Sequence, residues 1–151
     1  MIHGRFMSEE KGQIIIEDIF RRVSYDPHLL YPYREDKDIL IQAIVYEGAE
    51  DQSPAAAGCM LLKPEEARIA YIAVLPEFRG RSYGEFLLRM LIDKAKTSGL
   101  QRIVLSCDYQ MTEYFQKFGF MVDGKDSELN GIVYRNMLYK EIGGKCCHKS
   151  I

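Results

Sequence analysis

The feature that most constrains the fold is an apolar helix between two strand-like segments. Across Tyr83–Thr97 the polar side chains fall on one narrow stripe and apolar side chains cover the rest, which is typical of a helix packed on a sheet with one edge in water. The flanking segments Arg68–Val74 and Arg102–Cys107 are apolar or β-branched, which predicts a buried strand on each side. Such a crossover unit binds its ligands beyond the carboxyl ends of the strands, at the N-terminus of the helix.

The other elements predict a mixed α/β (α+β) fold. A helix is expected from Ser8 to Val23, with Ser8 as its N-cap. Further expected elements are strands at Ile39–Tyr46, Ala55–Leu62, Phe120–Val122 and Ile132–Lys140, a short helix capped by Asp108 and ended by Gly119, and a connection at Gly124–Gly131. Residues 1–142 are expected to form one domain with a mixed sheet and helices on its faces, and residues 143–151 a flexible tail.

Charge and composition exclude several classes of protein. Twenty Lys+Arg face 22 Asp+Glu, so no broad basic field is present to bind nucleic acid. No apolar run approaches the roughly 20 residues that span a bilayer, and the start of the chain lacks the layout of a signal peptide, so a cytoplasmic protein is expected. Cys146, Cys147 and His148 lie together, but no second cysteine pair completes a zinc site. No bound metal is expected.

The loop before the central helix has the composition of an anion site. Gly80 and Gly84 allow tight turns that expose backbone amides, and the first amides of a helix carry partial positive charge. Arg79 and Arg81 add forked donors suited to phosphate. The loop is therefore expected to bind a phosphate or pyrophosphate; its local features leave open a solvated turn with two surface arginines.

Two blocks of this sequence resemble the GNAT superfamily of acyl-CoA-dependent N-acetyltransferases. The pattern V-x-P-x-x-R-G-x-x-x-G over Val74–Gly84 looks like its acetyl-CoA signature, with Ser82 in place of the second glycine. YFQKFGF at Tyr114–Phe120 resembles its later block, and Leu129–Met137 resembles the ending of a subgroup of small bacterial members. The resemblance covers roughly Ile39–Ile142, and two blocks at the right separation are more specific than either alone.

The resemblance implies a cofactor, a fold and a set of binding residues. Acetyl-CoA (coenzyme A) would be the co-substrate, and the GNAT-like sheet would be mostly antiparallel, with helices on both faces and one parallel, splayed strand pair. The end of the strand before the loop would bind the pantetheine arm through its backbone, and the loop amides would hold the pyrophosphate. The cofactor-binding residues implied are Ile72, Ala73, Val74, Arg79, Gly80, Arg81, Ser82, Tyr83, Gly84 and Phe115.

Serine at position 82 departs from the signature. It can present the same amide provided that its φ is not strongly positive. Its simplest structural role is the N-cap of the helix that follows.

The acid and the base of the reaction are less evident. The tyrosine that many members use to protonate the leaving thiolate aligns with Phe115, which cannot donate a proton. Tyr114 is adjacent but points about 100° away around a helix, so it is either a core residue or the acid. Glu66 precedes a predicted strand and Asp108 follows another; each is otherwise a turn acid or a cap. The catalytic candidates are Tyr114, Glu66 and Asp108, with a base acting through water as an alternative.

The leading hypothesis is an N-acetyltransferase. It would transfer an acetyl group from acetyl-CoA to a small-molecule or peptide amine by direct attack in a ternary complex. The alternative is a catalytically lapsed CoA-binding regulatory module; a nucleotide-binding module is disfavoured because no Gly-Lys-Ser/Thr motif is present. Tyr25–Asp38 and Asp123–Asn130 are the expected walls of the acceptor site, and their acids favour a cationic amine. No nucleic-acid or membrane partner is expected, and a homodimer is left open.

Overall fold

The computed structural model describes residues 2–23, 34–48, 53–129 and 131–140, which fall into two compact units divided after Gln101. The first unit contains β1 (Ile2–Met7), α1 (Glu9–Arg22), β2 (Ile39–Glu47), β3 (Pro54–Leu62), β4 (Ala67–Val74), a 3₁₀ turn (Pro76–Phe78) and α2 (Tyr83–Thr97). The second contains β5 (Ile103–Cys107), a 3₁₀ turn (Tyr109–Met111), α3 (Thr112–Gln116), β6 (Phe120–Val122), β7 (Ser127–Leu129) and β8 (Ile132–Tyr139).

The first unit is an antiparallel sheet with a helix on each face. Its strand order is β1-β2-β3-β4, and every neighbouring pair is antiparallel. The apolar cluster around Phe20 of α1 includes Cys59 of β3, whereas a Cβ placed on the adjacent Gly58 would lie 3.2 Å from Leu87 and from Leu91 of α2. Because successive residues of a strand point to opposite faces, α1 and α2 cover opposite faces, as predicted.

Helix α1 begins where the sequence predicts. Ser8 has extended backbone angles and its Oγ accepts a hydrogen bond from the Lys11 amide at 3.3 Å, which is the N-cap interaction. Glu9 and Glu10 occupy the first turn and Arg21 and Arg22 the last, so charges of both signs complement the helix dipole.

In the second unit β8 is the central strand. It pairs antiparallel with β5, β6 and β7. Asp108 does not cap the short helix as expected: it precedes the 3₁₀ turn, and its side chain makes no capping hydrogen bond. The Met111 amide donates instead to the backbone carbonyl of Asp108 at 3.0 Å. The hydrogen bond of the 3₁₀ turn therefore satisfies the amide that a capping side chain would otherwise bind.

Two strands were not expected from the sequence. β1 was missed because a short segment with a central glycine gives little periodic signal, and its partner β2 lies some forty residues away (Ile2 pairs with Glu47). β7 lies inside the expected connection Gly124–Gly131. The mixed, mostly antiparallel α/β fold class is confirmed. None of the helices in the four described ranges is long and apolar enough to cross a membrane.

Candidate functional site

The loop between β4 and α2 is anchored at its start. In β3, Ala55 is an extra residue between the Val45–Ala56 and Tyr46–Pro54 pairs, and its carbonyl accepts a hydrogen bond from the Leu75 amide at 2.9 Å. The Leu75 side chain is buried. A backbone bond and a buried leucine therefore hold the loop against β3 before its turns begin.

A 3₁₀ turn and Arg79 fold the loop back on the end of β4. Pro76 begins the turn, which suits its fixed φ and missing N–H. The Phe78 amide donates to the Leu75 carbonyl at 2.9 Å. Arg79 Nε donates to the Val74 carbonyl at 3.0 Å, so one donor of this exposed arginine orders the loop.

The turn into α2 uses two left-handed residues. Gly80 has φ +81° with no atom within 4 Å of where a Cβ would be, and Ser82 has φ 67° and ψ 17°. Ser82 occupies the N-cap position of α2, as expected, but its side chain makes no capping hydrogen bond and its φ is positive, a conformation in which glycine is the usual residue. A serine caps from an extended conformation, which Ser82 does not adopt. Helix α2 starts with the Phe86 amide donating to the Ser82 carbonyl at 3.0 Å.

Tyr83 fastens the first residue of α2 to the end of β2. Its side chain is 2% exposed, its ring packs edge-on against Phe78 with centroids 5.6 Å apart, and its hydroxyl donates to Glu47 Oε1. This hydrogen bond lowers the pKa of Glu47 despite the opposing effect of burial. The same bond, reinforced by burial, raises the pKa of Tyr83. Glu47 carries no motif in the sequence; only the sheet brings it to the loop.

Arg81 remains largely in solvent. Its guanidinium lies 3.8 Å from Glu47 Oε1 with the side chain 59% exposed, and 5.9 Å from the centroid of the Phe78 ring. Contacts of this kind are weak in water. The Arg81 side chain can therefore turn toward an anion at small cost.

Together these residues form a surface with the properties of a phosphate site. The first-turn amides of α2 have no helical acceptors and carry the positive end of the helix dipole. Gly80 and Ser82 have positive φ, and left-handed residues in a turn are typical of backbone sites for anions; Arg79 and Arg81 lie in the same loop. Such a loop has the properties of a site for a phosphate or pyrophosphate.

Strand β4 is irregular just before the loop. Ile69 pairs with Met60 and Tyr71 with Cys59, so Ala70 is an extra residue on β4. A bulge of this kind leaves an unpaired residue in the ladder and re-aims the backbone beside it. The expected pantetheine-binding residues follow it: Ile72 and Val74 are half-buried and Ala73 is buried.

Glu66 lies at the other end of β4. It comes before Ala67, the first residue of the strand, and its carboxylate is 4.0 Å from Arg68 Nε. Val74 lies eight positions further along the chain, about 25 Å away in an extended strand. The structure therefore does not bring Glu66 to the loop.

The other expected site residues belong to the second unit. Asp108 is exposed directly after β5. Phe115 is 7% exposed, and its ring packs against Phe120 at a centroid distance of 5.9 Å. Tyr114 is half-buried, with its ring edge-on to Phe115 at 5.2 Å and 5.1 Å from Phe118.

Some predicted features fall outside the described residues. These are the Cys146-Cys147-His148 cluster, the tail 143–151 and most of the acceptor wall Tyr25–Asp38. Within the described ranges, no group of three or more His, Cys, Asp or Glu side chains could hold a metal ion.

Comparison with known proteins identifies related sequences and folds. The sequence profile of the acetyltransferase (GNAT) family matches residues 14–120. The uncharacterized N-acetyltransferase CgeE of Bacillus subtilis is 27% identical over 94 residues, which cover 60% of this chain and 36% of that protein. The chain spans 36% and 52% of the lengths of two curated relatives that it matches.

Solved structures share the fold. An acyl-CoA N-acyltransferase from Pseudomonas aeruginosa has a TM-score of 0.72 at 15% identity, over 93% of this chain and all 100% of the other. N-acetylglutamate synthase from Neisseria gonorrhoeae, solved with coenzyme A and N-acetyl-glutamate, has a TM-score of 0.68 at 19% identity, over 92% of this chain and 35% of the other. At these identities the likeness concerns the fold, and it agrees with the fold that the sequence blocks imply.

Proposed function

The chain belongs to the GNAT acetyltransferase family, and from that premise we propose that it transfers an acetyl group from acetyl-CoA to an amine by direct attack in a ternary complex. The observation that carries this proposal is the loop from Arg79 to Gly84, which lies within the matched region and combines two left-handed residues and two arginines at the N-terminus of a helix. Acetyl-CoA presents a pyrophosphate that such a loop suits.

In this proposal the backbone does most of the cofactor binding. Amides from Arg79 to Gly84 hold the pyrophosphate, while the buried Tyr83 and its hydrogen bond to Glu47 keep the helix start in place. The pantetheine arm adds to the backbone of Ile72–Val74, next to the bulge at Ala70. Hydrogen bonds to the thioester carbonyl there would stabilise the oxyanion that forms as the amine attacks.

An amine of pKa about 10.4 must lose a proton before it can attack. Of the acidic candidates, Asp108 suits this role best, since its carboxylate is exposed at the carboxyl end of β5 and makes no capping bond. It would act directly or through one water. Asp108→Asn should then lower kcat about 10²-fold without changing CoA affinity; an unchanged kcat would remove Asp108 from the mechanism.

The leaving thiolate needs little help. A thiol of pKa about 8.5 departs near neutral pH without full protonation, so Phe115, which is buried and has no hydroxyl, is compatible with turnover. Phe115→Tyr is expected to raise kcat less than about tenfold. The cytoplasmic location, an amine of small-molecule or peptide type as acceptor, and a homodimer remain proposals from the sequence.

The experiment that tests the function has two parts. Calorimetric titration with acetyl-CoA should show one site per chain, and a panel of amines should release CoA thiol with at least one member. Failure to bind CoA at millimolar concentration would refute the proposal. Binding without turnover of any amine would favour the alternative of a regulatory CoA-binding module, which the buried Phe115 makes a specific possibility.

A further inference from the structure

Arg135 of β8 is held over an aromatic ring at the end of β5. It pairs in register with Cys107, and Tyr109 follows two residues after that cysteine. The guanidinium carbon of Arg135 lies 4.2 Å from the centroid of the Tyr109 ring. A guanidinium whose face packs against a ring keeps its N–H donors at its edges, in the guanidinium plane, where they can bind an acceptor.

In the part of the chain that the structure describes, the carboxylate paired with Arg135 is Asp126, and it does not satisfy the Nε donor. Asp126 Oδ1 is 3.9 Å from Arg135 Nε, too far for a hydrogen bond, and Asp126 Oδ2 accepts from the Tyr109 hydroxyl. Arg135 Nε is shielded from solvent and has no hydrogen-bond partner among the described residues. A buried donor left without an acceptor is destabilising, and more so when it is charged, so it favours the binding of an acceptor.

Hydrogen bonds fix the backbone of the loop on both sides of Asp126. Asn136 Nδ2 donates to the Lys125 carbonyl at 2.7 Å and to Ser127 Oγ at 2.8 Å, on both sides of Asp126. Asn136 Oδ1 accepts from Ser106 Oγ at 2.7 Å. These bonds tie the loop to β8 and β5 and hold Asp126 at its present distance.

We propose that Arg135 binds a carboxylate or phosphate group of the acceptor, an inference that rests on the acetyl transfer proposed above. The planar guanidinium matches either group through two parallel hydrogen bonds, and the side chain as a whole is 31% exposed, so part of it is open to a ligand although Nε itself is shielded. The carboxylate of Asp126, beside Arg135, favours a cationic amino group on the same acceptor molecule. The acceptor class is therefore an amine that also carries an anionic group, rather than the simple cationic amine that the acids of the loop alone favoured.

Binding can be tested without turnover. In ¹H–¹⁵N spectra of the CoA-bound protein, the Nε–H signal of Arg135 is assigned by its loss in Arg135→Lys. We expect this signal to shift saturably with β-alanine and with O-phosphoethanolamine, which carry a carboxylate and a phosphate. It should shift little with β-alaninamide and ethanolamine, the matched amines that lack the anionic group. The stronger of the two anionic probes identifies the carboxylate or the phosphate. No shift with any probe at about 50 mM, or equal shifts with all four, would overturn the proposal.

Turnover gives a second, independent measurement. We expect kcat/KM for an anionic amine to exceed that of its neutral partner at least about tenfold, and Arg135→Gln to bring this ratio close to one while Arg135→Lys keeps part of it. Arg102→Gln removes an exposed arginine just before β5, paired with Asp123 at 3.5 Å, and should leave the ratio unchanged. Equal slowing of all amines by Arg135→Gln would make its role structural and overturn the inference. If CoA binds and no amine is acetylated, the proposed function fails, and the spectra still decide on Arg135.

Discussion

Replacing Ser82 by glycine should stabilise the protein. The left-handed conformation costs an L-residue about 1–2 kcal/mol, and Ser82 adopts it without a compensating capping bond. Glycine removes that cost but adds conformational freedom to the unfolded chain, about 0.4–1 kcal/mol. The net gain expected is about 0.5–1 kcal/mol, or roughly 1–4 °C in Tm for a chain of this size.

Calorimetric or CD melting with urea unfolding at pH 7 measures the change. Ser98 at the end of α2 is the matched control, since its φ is −81° and its Oγ donates to the Lys94 carbonyl at 2.8 Å. Ser98→Gly loses that bond and gains unfolded-state freedom, so it should destabilise by about 1 kcal/mol. Ser82→Val should also destabilise, because a β-branched residue tolerates positive φ poorly.

The reasoning fails if Ser82→Gly melts at or below the wild-type temperature while Ser98→Gly falls as expected. Affinity for CoA provides a separate check. In the proposed site the amide of residue 82, rather than its hydroxyl, contacts the pyrophosphate, so Ser82→Gly should hold the dissociation constant within about threefold.

Three further predictions concern the loop and the acid. Gly80→Asp should weaken CoA binding at least about tenfold in calorimetry, because it adds negative charge and strain at φ +81°. Arg81→Ala should weaken CoA binding less. Equal, negligible effects of the two changes would show that the pyrophosphate does not bind at this loop. Tyr83→Phe should lower Tm at pH 7. The difference in Tm from the wild type should shrink as the pH falls through the depressed pKa of Glu47, because the hydrogen bond to its carboxylate stabilises the fold above that pKa and is lost below it. A difference in Tm that does not change with pH would contradict this role. Tyr114→Phe should leave kcat within about threefold, and a hundredfold loss with intact CoA affinity would identify Tyr114 as the acid.

The sequence predicted those features that depend on neighbouring residues. Helix α2 occupies Tyr83–Thr97 as expected, since its apolar arc and Ser98-Gly99 stop are local signals. The N-cap at Ser8 is likewise local. At Ser82 the same preference of serine for helix starts gave the wrong conformation, because closure of the loop between β4 and α2 decides its backbone angles.

Features that depend on distant pairing could not be read from the chain. Glu47 reaches Tyr83, 36 residues later, because β2 ends beside the start of α2. Arg135 stacks on Tyr109 through the pairing of β8 with β5. Neither contact has a motif, since each depends on strand register rather than on spacing along the sequence.

Strand β1 has a consequence for solubility. β2 reads Ile-Leu-Ile-Gln-Ala-Ile-Val-Tyr-Glu, an apolar, β-branched run without proline, which is the composition of segments that form intermolecular cross-β structure. β1 pairs with β2 from Gln42 to Glu47 and so occupies the backbone groups along that edge. If β1 detached, this edge would be open to pairing with a second chain. We therefore expect a variant that weakens β1 to aggregate more readily than the wild type.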